Sequence, residues 1–323
     1  MTSNTVYHYC SLETFNAIIS NKTLRVSDIT KSNDDQELKW ISNSISDTFI
    51  NAILENKMLC SKYHIDTNRI QLIKERIKLV TNSVYINNSR TMISLACCFS
   101  EVGDLLSQWR GYANDGNGIS IGFNKNTLLF LNSHSFVYGF RKVIYDAKTQ
   151  SKFIKSNIVD LINGYSQVEQ NQITDATFNE FLYDILLRIG VMYNEAPGFK
   201  NKCFYEEKEW RICINTYLSN IIFDEKYNEN PSYNIGQCDE EFNIPANLSN
   251  GLIRMPISFV VKGNRIVPYV DLNFDKIKDD FIKEIIIGPK CDVSIFDVQL
   301  LLASKGYEYN KIPIKHSKCT YRS

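Results

Sequence analysis

From Glu209 to Ile214 the chain alternates strictly, with Trp210, Ile212 and Ile214 set between Glu209, Arg211 and Cys213. A period of two sends one set of side chains to each side of an extended strand, so this stretch demands a sheet with one apolar and one polar face. Glu207 extends the polar side, which then carries two carboxylates two residues apart with an arginine next in line. Such a row can bind a sugar hydroxyl and deprotonate an acceptor in one cleft. The plain alternative is a solvated strand edge carrying a Glu209–Arg211 pair.

Both kinds of element surround that strand. Leu12, Phe15, Ile18 and Ile19 fall on one helical face, with Ser11 as N-cap and Asn21 as stop, and TLRVS follows as a strand. Helical spacing returns at Leu38, Ile41, Ile45, Phe49 and Ile53 and again at Ile70, Ile73, Ile77, Val80 and Val84, which predicts a helical insertion over 34–88. Asn33 and Asp34 are placed to cap its first helix, with Glu37 in the first turn. TMISLACCFS, GNGISIGF and FVYGFRKVIY read as strands, and two helices are expected between Thr149 and Asn194. Residues 217–250, rich in Asn, Asp and Glu, read as an irregular surface excursion. RIVPYVDLN and IKEIIIGP are further strands, followed by a helix from Ser294 through Leu302. Strands and helices lack regular βαβ spacing, so a single mixed α+β domain over 1–323 is favoured over a doubly wound sheet.

Composition removes several function classes. The 323 residues are 44% hydrophobic, enough for a sizeable core, and no apolar run is long enough to span a bilayer. With no leader pattern in MTSNTVYHYCS, a cytoplasmic protein without membrane contact is expected. Thirty-six basic and thirty-six acidic residues cancel, so any polyanion must be held by a local patch such as KERIK at 74–78 or Lys311, Lys315, His316, Lys318 and Arg322. Each such patch read alone is solvated surface. Nine cysteines at non-framework spacings fit free thiols in a reducing compartment, and the absence of CxxC, HxxxH and HExxH argues against a metal site. GNGISIG is not a dinucleotide fingerprint, and neither a P-loop nor a GxSxG elbow occurs. Taken alone, His8 between Tyr7 and Tyr9 reads as a structural hydrogen-bonder, and Trp109 with Tyr112 as core packing on one helical face.

In combination these segments carry more. YHYCSLETFNAIISNKTLRVSD, SNDDQE, CCFSEVGDLLSQWRGYANDGNGISIGF, EEKEWRI and IKEIIIGP, in this order, resemble a widespread bacterial family catalogued as a domain of unknown function. Cys10 departs from the family's usual Tyr-His-Tyr-Thr. That family in turn looks like a divergent branch of the ADP-ribosyltransferase fold, a split mixed β-sheet with flanking helices. The opening also looks similar to nucleic-acid ADP-ribosyltransferase toxins and RNA 2′-phosphotransferases.

The resemblance implies NAD as co-substrate and a toxin or anti-phage transferase acting on nucleic acid, RNA ahead of DNA, or on a host protein, with an antitoxin or chaperone as possible partner. It implies that His8, Trp109 or Tyr112, and Glu209 meet in one cleft. Glu209 would hold the ribose, Glu207 would activate the acceptor, His8 and Tyr9 would orient the cofactor, and Tyr112 or Trp109 would face the nicotinamide. Arg25 and Arg211 are the candidates for the pyrophosphate. The competing reading is a non-enzymatic module that binds nucleic acid or protein and uses the same aromatic residues for packing or stacking.

Overall fold

A computed structural model of the chain describes residues 4–31, 39–85, 92–132, 138–167, 174–217, 257–275, 277 and 280–321. The expected caps at Asn33, Asp34 and Glu37, the excursion beyond Tyr217, and Arg322 lie outside the described residues.

The first strand β1 (Thr5–Cys10) passes into α1 (Leu12–Asn21) through Ser11, whose hydroxyl accepts the Thr14 N–H and so satisfies one of the helix's unpaired donors. Phe15, Ile18 and Ile19 form its buried stripe, and Lys22 ends it in the left-handed region at φ 51°. Then come β2 (Thr23–Asp28), α2 (Lys39–Glu55), α3 (Lys57–Lys62), α4 (Thr67–Tyr85), β3 (Met92–Ser100), α5 (Leu106–Tyr112), β4 (Ile119–Asn124) and α6 (Lys125–Asn132). They are followed by β5 (Tyr138–Lys142), α7 (Ala147–Gln167), α8 (Asp175–Glu195), β6 (Glu209–Tyr217), β7 (Ser258–Lys262), β8 (Arg265–Asn273), β9 (Ile282–Ile287), α9 (Ile295–Ser304) and β10 (Ile314–His316).

These elements separate into two compact units. One comprises residues 1–29, 94–143 and 204–323, the other residues 30–93 and 144–203. The second unit holds α2, α3, α4, α7 and α8, so the helices expected at 34–88 group with those expected between Thr149 and Asn194. Its centre is aromatic: Tyr63 stacks on Phe181 at 5.2 Å between ring centroids, and Tyr165 approaches Phe181 at 5.0 Å.

The first unit is built on a mixed sheet in the order β10-β9-β4-β1-β3-β2-β8-β7, with β6 joining at β3 and β5 beyond it. β9 and β10 run parallel, whereas β1–β4, β2–β8, β4–β9 and β5–β6 are antiparallel. The sheet branches at β3, which pairs with β1 at Ser100, with β2 at Leu95 and Ala96, and with β6. Three partners on a strand with two edges oblige two of them to divide one edge. One side of the sheet carries an apolar core with Phe99, Phe123, Phe140, Phe274 and Phe281 in edge-on and tilted contacts, and the other a smaller buried cluster of Tyr9, Trp109, Ala113 and Ile286.

Two glycines of the first unit are required by close backbone approach. A Cβ on Gly118 would lie 2.1 Å from the Cys10 carbonyl oxygen, and one on Gly288 would lie 2.4 Å from that of Gly116. Neither neighbour is a side chain that can swing aside. Gly118→Ala is therefore expected to destabilise by about 1–3 kcal/mol, as overpacking does. Urea unfolding measures it, and an unshifted midpoint would show that β1 and β4 can part without cost.

Candidate functional site

Alternation around Trp210 decides what Glu209 and Arg211 can reach. The Trp210 ring stacks on Phe140 at 5.1 Å, Phe140 meets Phe99 at 5.8 Å, and Phe99 meets the His8 ring at 5.7 Å. These four rings therefore share one side of the sheet. Glu209 and Arg211, out of step with Trp210, turn to the other side. The expected meeting of His8 with Glu209 does not occur.

Nor is the polar row solvated. Arg211 donates from Nε to Glu209 Oε1 at 2.7 Å and from Nη2 to Oε2 at 2.9 Å, with Arg211 1% and Glu209 4% exposed. Both faces of β6 are buried, and its carboxylate is held in a bidentate ion pair rather than presented to a ribose. Arg211 is engaged in the same way. The plain alternative of a Glu–Arg pair describes these two side chains, except that the pair lies inside the protein.

Glu207 stands apart from that row. It ends a 3-10 turn, Lys202–Glu207, and Lys208 then takes φ 44°, so the backbone swings before β6 begins and the period of two does not extend back to Glu207. The Ser100 hydroxyl donates to the Glu207 carbonyl at 2.8 Å, fixing the turn against β3. The Tyr112 hydroxyl donates to Glu207 Oε1 at 3.0 Å, and Ser107 donates to Glu206 Oε1 at 2.9 Å, so α5 is tied to the turn at two points. Tyr112 is 39% exposed, which leaves ring surface open beside a half-buried carboxylate.

The two aromatic candidates part company. Trp109 is fully buried, its ring 4.9 Å from that of Tyr9 in an edge-on contact and its Nε1 donating to Asp104 Oδ1 at 2.7 Å. It cannot offer a face to nicotinamide. Asp104 also accepts from Ser317 Oγ at 2.5 Å and from the Lys318 N–H at 2.7 Å. Burial works against this carboxylate, yet the hydrogen bonds from Ser317, Lys318 and Trp109 outweigh it and hold its pKa below the ordinary value. Tyr9 is spent locally as well, donating to the Val102 carbonyl and accepting the Leu105 N–H. Arg25 pairs with both oxygens of Asp271 and lies 3.6 Å over the Tyr269 ring, so a pyrophosphate would have to displace an existing carboxylate.

His8 Nδ1 lies 2.8 Å from the Cys98 carbonyl oxygen, and the Cys97 sulfur is 3.9 Å away. Burial lowers the imidazole pKa, with the Cys98 carbonyl pulling the other way. The unfolded chain thus binds this proton more readily, so the contribution to stability is complete above about pH 6.5 and is lost as pH falls through the folded value. The urea midpoint is expected to start dropping as pH falls below about 6.5, before ordinary carboxylates titrate. His8→Asn should flatten that limb; an unchanged slope would assign it to other groups.

A partner missed in the sequence is Glu284. It accepts from the Tyr7 hydroxyl at 2.5 Å and also pairs with Lys315, across the gap left by Gly122, whose Cβ would press on both Tyr7 and Glu284. The signal lies in the last glycine of GNGISIGF, which by itself indicates only a turn or a close approach to a ligand. Two of the surface basic residues, Lys311 and Lys315, are neutralised by Glu308 and Glu284.

Among known proteins, the model of a family described as "Protein of unknown function (DUF2971)" matches residues 108–212, about a third of the chain and the part that runs from α5 to β6. No curated protein and no solved structure matches the chain. Among the described residues, no helix is long and apolar enough to cross a membrane.

Proposed function

We propose that the chain is a NAD-dependent ADP-ribosyltransferase in altered form, with Glu207 in the role that the resemblance assigns to Glu209. The reading is supported chiefly by the Tyr112–Glu207 pair, a carboxylate held by an exposed tyrosine in a turn anchored to β3, where the mixed sheet branches. Cleaving the nicotinamide–ribose bond develops oxocarbenium-like charge, which a fixed carboxylate stabilises more in the transition state than in the ground state. The Tyr112 hydroxyl aims that carboxylate, and its ring offers a flat face to nicotinamide. His8, on the other side of the sheet, and Trp109, in the core, have no part in this arrangement. The acceptor we propose is a nucleic acid, RNA ahead of DNA, within a toxin or anti-phage system.

The second reading, a non-enzymatic binding module, is favoured by a specific observation: Trp109, Glu209 and Arg211 are all engaged in packing or buried pairing. One experiment separates the two. The purified protein is incubated with NAD labelled in its adenylate half and with total RNA, DNA or cell lysate. Label carried into one macromolecular fraction is the expected result; NAD left intact in every mixture would remove the transferase and leave the binding module.

A further inference from the structure

We propose that a lysine stripe on α7 binds the phosphodiester backbone of a single-stranded nucleic acid. The inference rests on the transferase reading for naming this ligand as the acceptor, and not for the binding itself. Lys148, Lys152 and Lys155 recur at intervals of four and three, which places them on one helical face, and all three are exposed. With Ser151 and Ser156 they line one surface groove. Lysines supply point charges for phosphate, and the Ser151 hydroxyl can donate to a phosphate oxygen, whereas that of Ser156 already donates to the Phe153 carbonyl.

Several basic residues of the other unit are neutralised where they stand. There Lys22 pairs with Asp275, Arg25 with Asp271, Lys283 with Asp280, Lys290 with Asp115 and Lys315 with Glu284. Along the stripe Lys148 has Asp146 close by, and Lys152 and Lys155 form no ion pair among the described residues. Asp160 closes the groove at its far end. The spacing also fits. Seven helical residues advance about 10.5 Å, and a stacked strand carries a phosphate about every 3.4 Å, so the stripe spans about three phosphates.

The test is fluorescence anisotropy without NAD, using a labelled single-stranded RNA and a DNA of the same sequence, with the salt raised from about 50 to 200 mM. The full chain should bind at least one of them, and the preferred probe identifies the source of the phosphates. Lys148→Gln/Lys152→Gln/Lys155→Gln should weaken binding on the order of tenfold and reduce the salt slope by about 2, roughly 0.7 for each single-strand phosphate that is no longer neutralised. The three side chains are exposed, so an unchanged urea midpoint should accompany that weakening. The proposal is overturned by no binding to either probe at low salt, by an unaltered slope in the variant, or by polyglutamate binding as tightly and weakening equally in the variant. NAD hydrolysis measured without acceptor keeps the two readings apart. Nucleic-acid binding that disappears in the variant of a protein that never consumes NAD would sink the transferase and leave this surface standing, whereas NAD consumption with binding indifferent to the variant would do the opposite.

Discussion

Glu209→Gln is expected to cost about 3–5 kcal/mol of folding stability, because it leaves the buried Arg211 guanidinium without the carboxylate that meets it at 2.7 and 2.9 Å. Glutamine keeps one acceptor oxygen in place of two, turns an NH2 donor towards the guanidinium and brings no charge. The asymmetry of buried pairs supplies the control: removing one partner is costly, whereas replacing both with apolar residues of similar volume is often close to neutral. Glu209→Leu/Arg211→Met should thus unfold at a urea concentration nearer the wild type than Glu209→Gln does. If the single variant unfolds at the wild-type midpoint, the pair is not holding β6 and the carboxylate becomes available again as a functional group.

Glu207→Gln carries the other large effect, on chemistry rather than stability. Loss of one preorganised electrostatic group costs on the order of 100- to 1,000-fold in rate, and transfer of label from NAD should fall by that factor. The fold should hold, since Ser100 anchors the turn through the Glu207 backbone carbonyl, which the substitution keeps. Tyr112→Phe should lose less, because the ring remains and only the hydroxyl aiming Oε1 is removed. If expression of the protein harms its host, Glu207→Gln should relieve that harm. Label transfer at the wild-type rate in a well-folded Glu207→Gln protein would leave the turn as a structural link between α5 and β3 and nothing more.

Much of the framework is legible in the sequence because it is local. Ser11 announces α1 by a capping rule that acts over three residues, and the alternation from Glu209 places β6 by a rule that acts over two. What is not legible depends on neighbours far along the chain. A period of two states that the sides of β6 differ, not that both are covered, so Glu209 and Arg211 read as an open row although they are buried together. Glu207 looks like part of the row because the turn at Lys208 leaves no mark in the alternation. Trp109 and Tyr112 share a helix, yet one closes the core against Tyr9 and the other stays exposed; nothing in WRGYA announces the Asp104 that anchors the indole. The bland expectation for His8, a ring bonded to structure, matches its contact with the Cys98 carbonyl.

The branched sheet sets a timetable for synthesis. β1 can meet β4 once residues 119–124 have emerged, but Thr23 of β2 pairs with Asn273 of β8. From Asp28 to Asn273 is 245 residues (273 − 28), and at ribosomal rates of about 5–20 residues per second that edge of β2 waits on the order of 12–50 s for its partner. During that interval a row of backbone donors and acceptors stands open on the nascent chain. A helper protein that shields β2, or a neighbouring nascent copy that pairs with it, would act in this window and find nothing to hold once β8 has emerged.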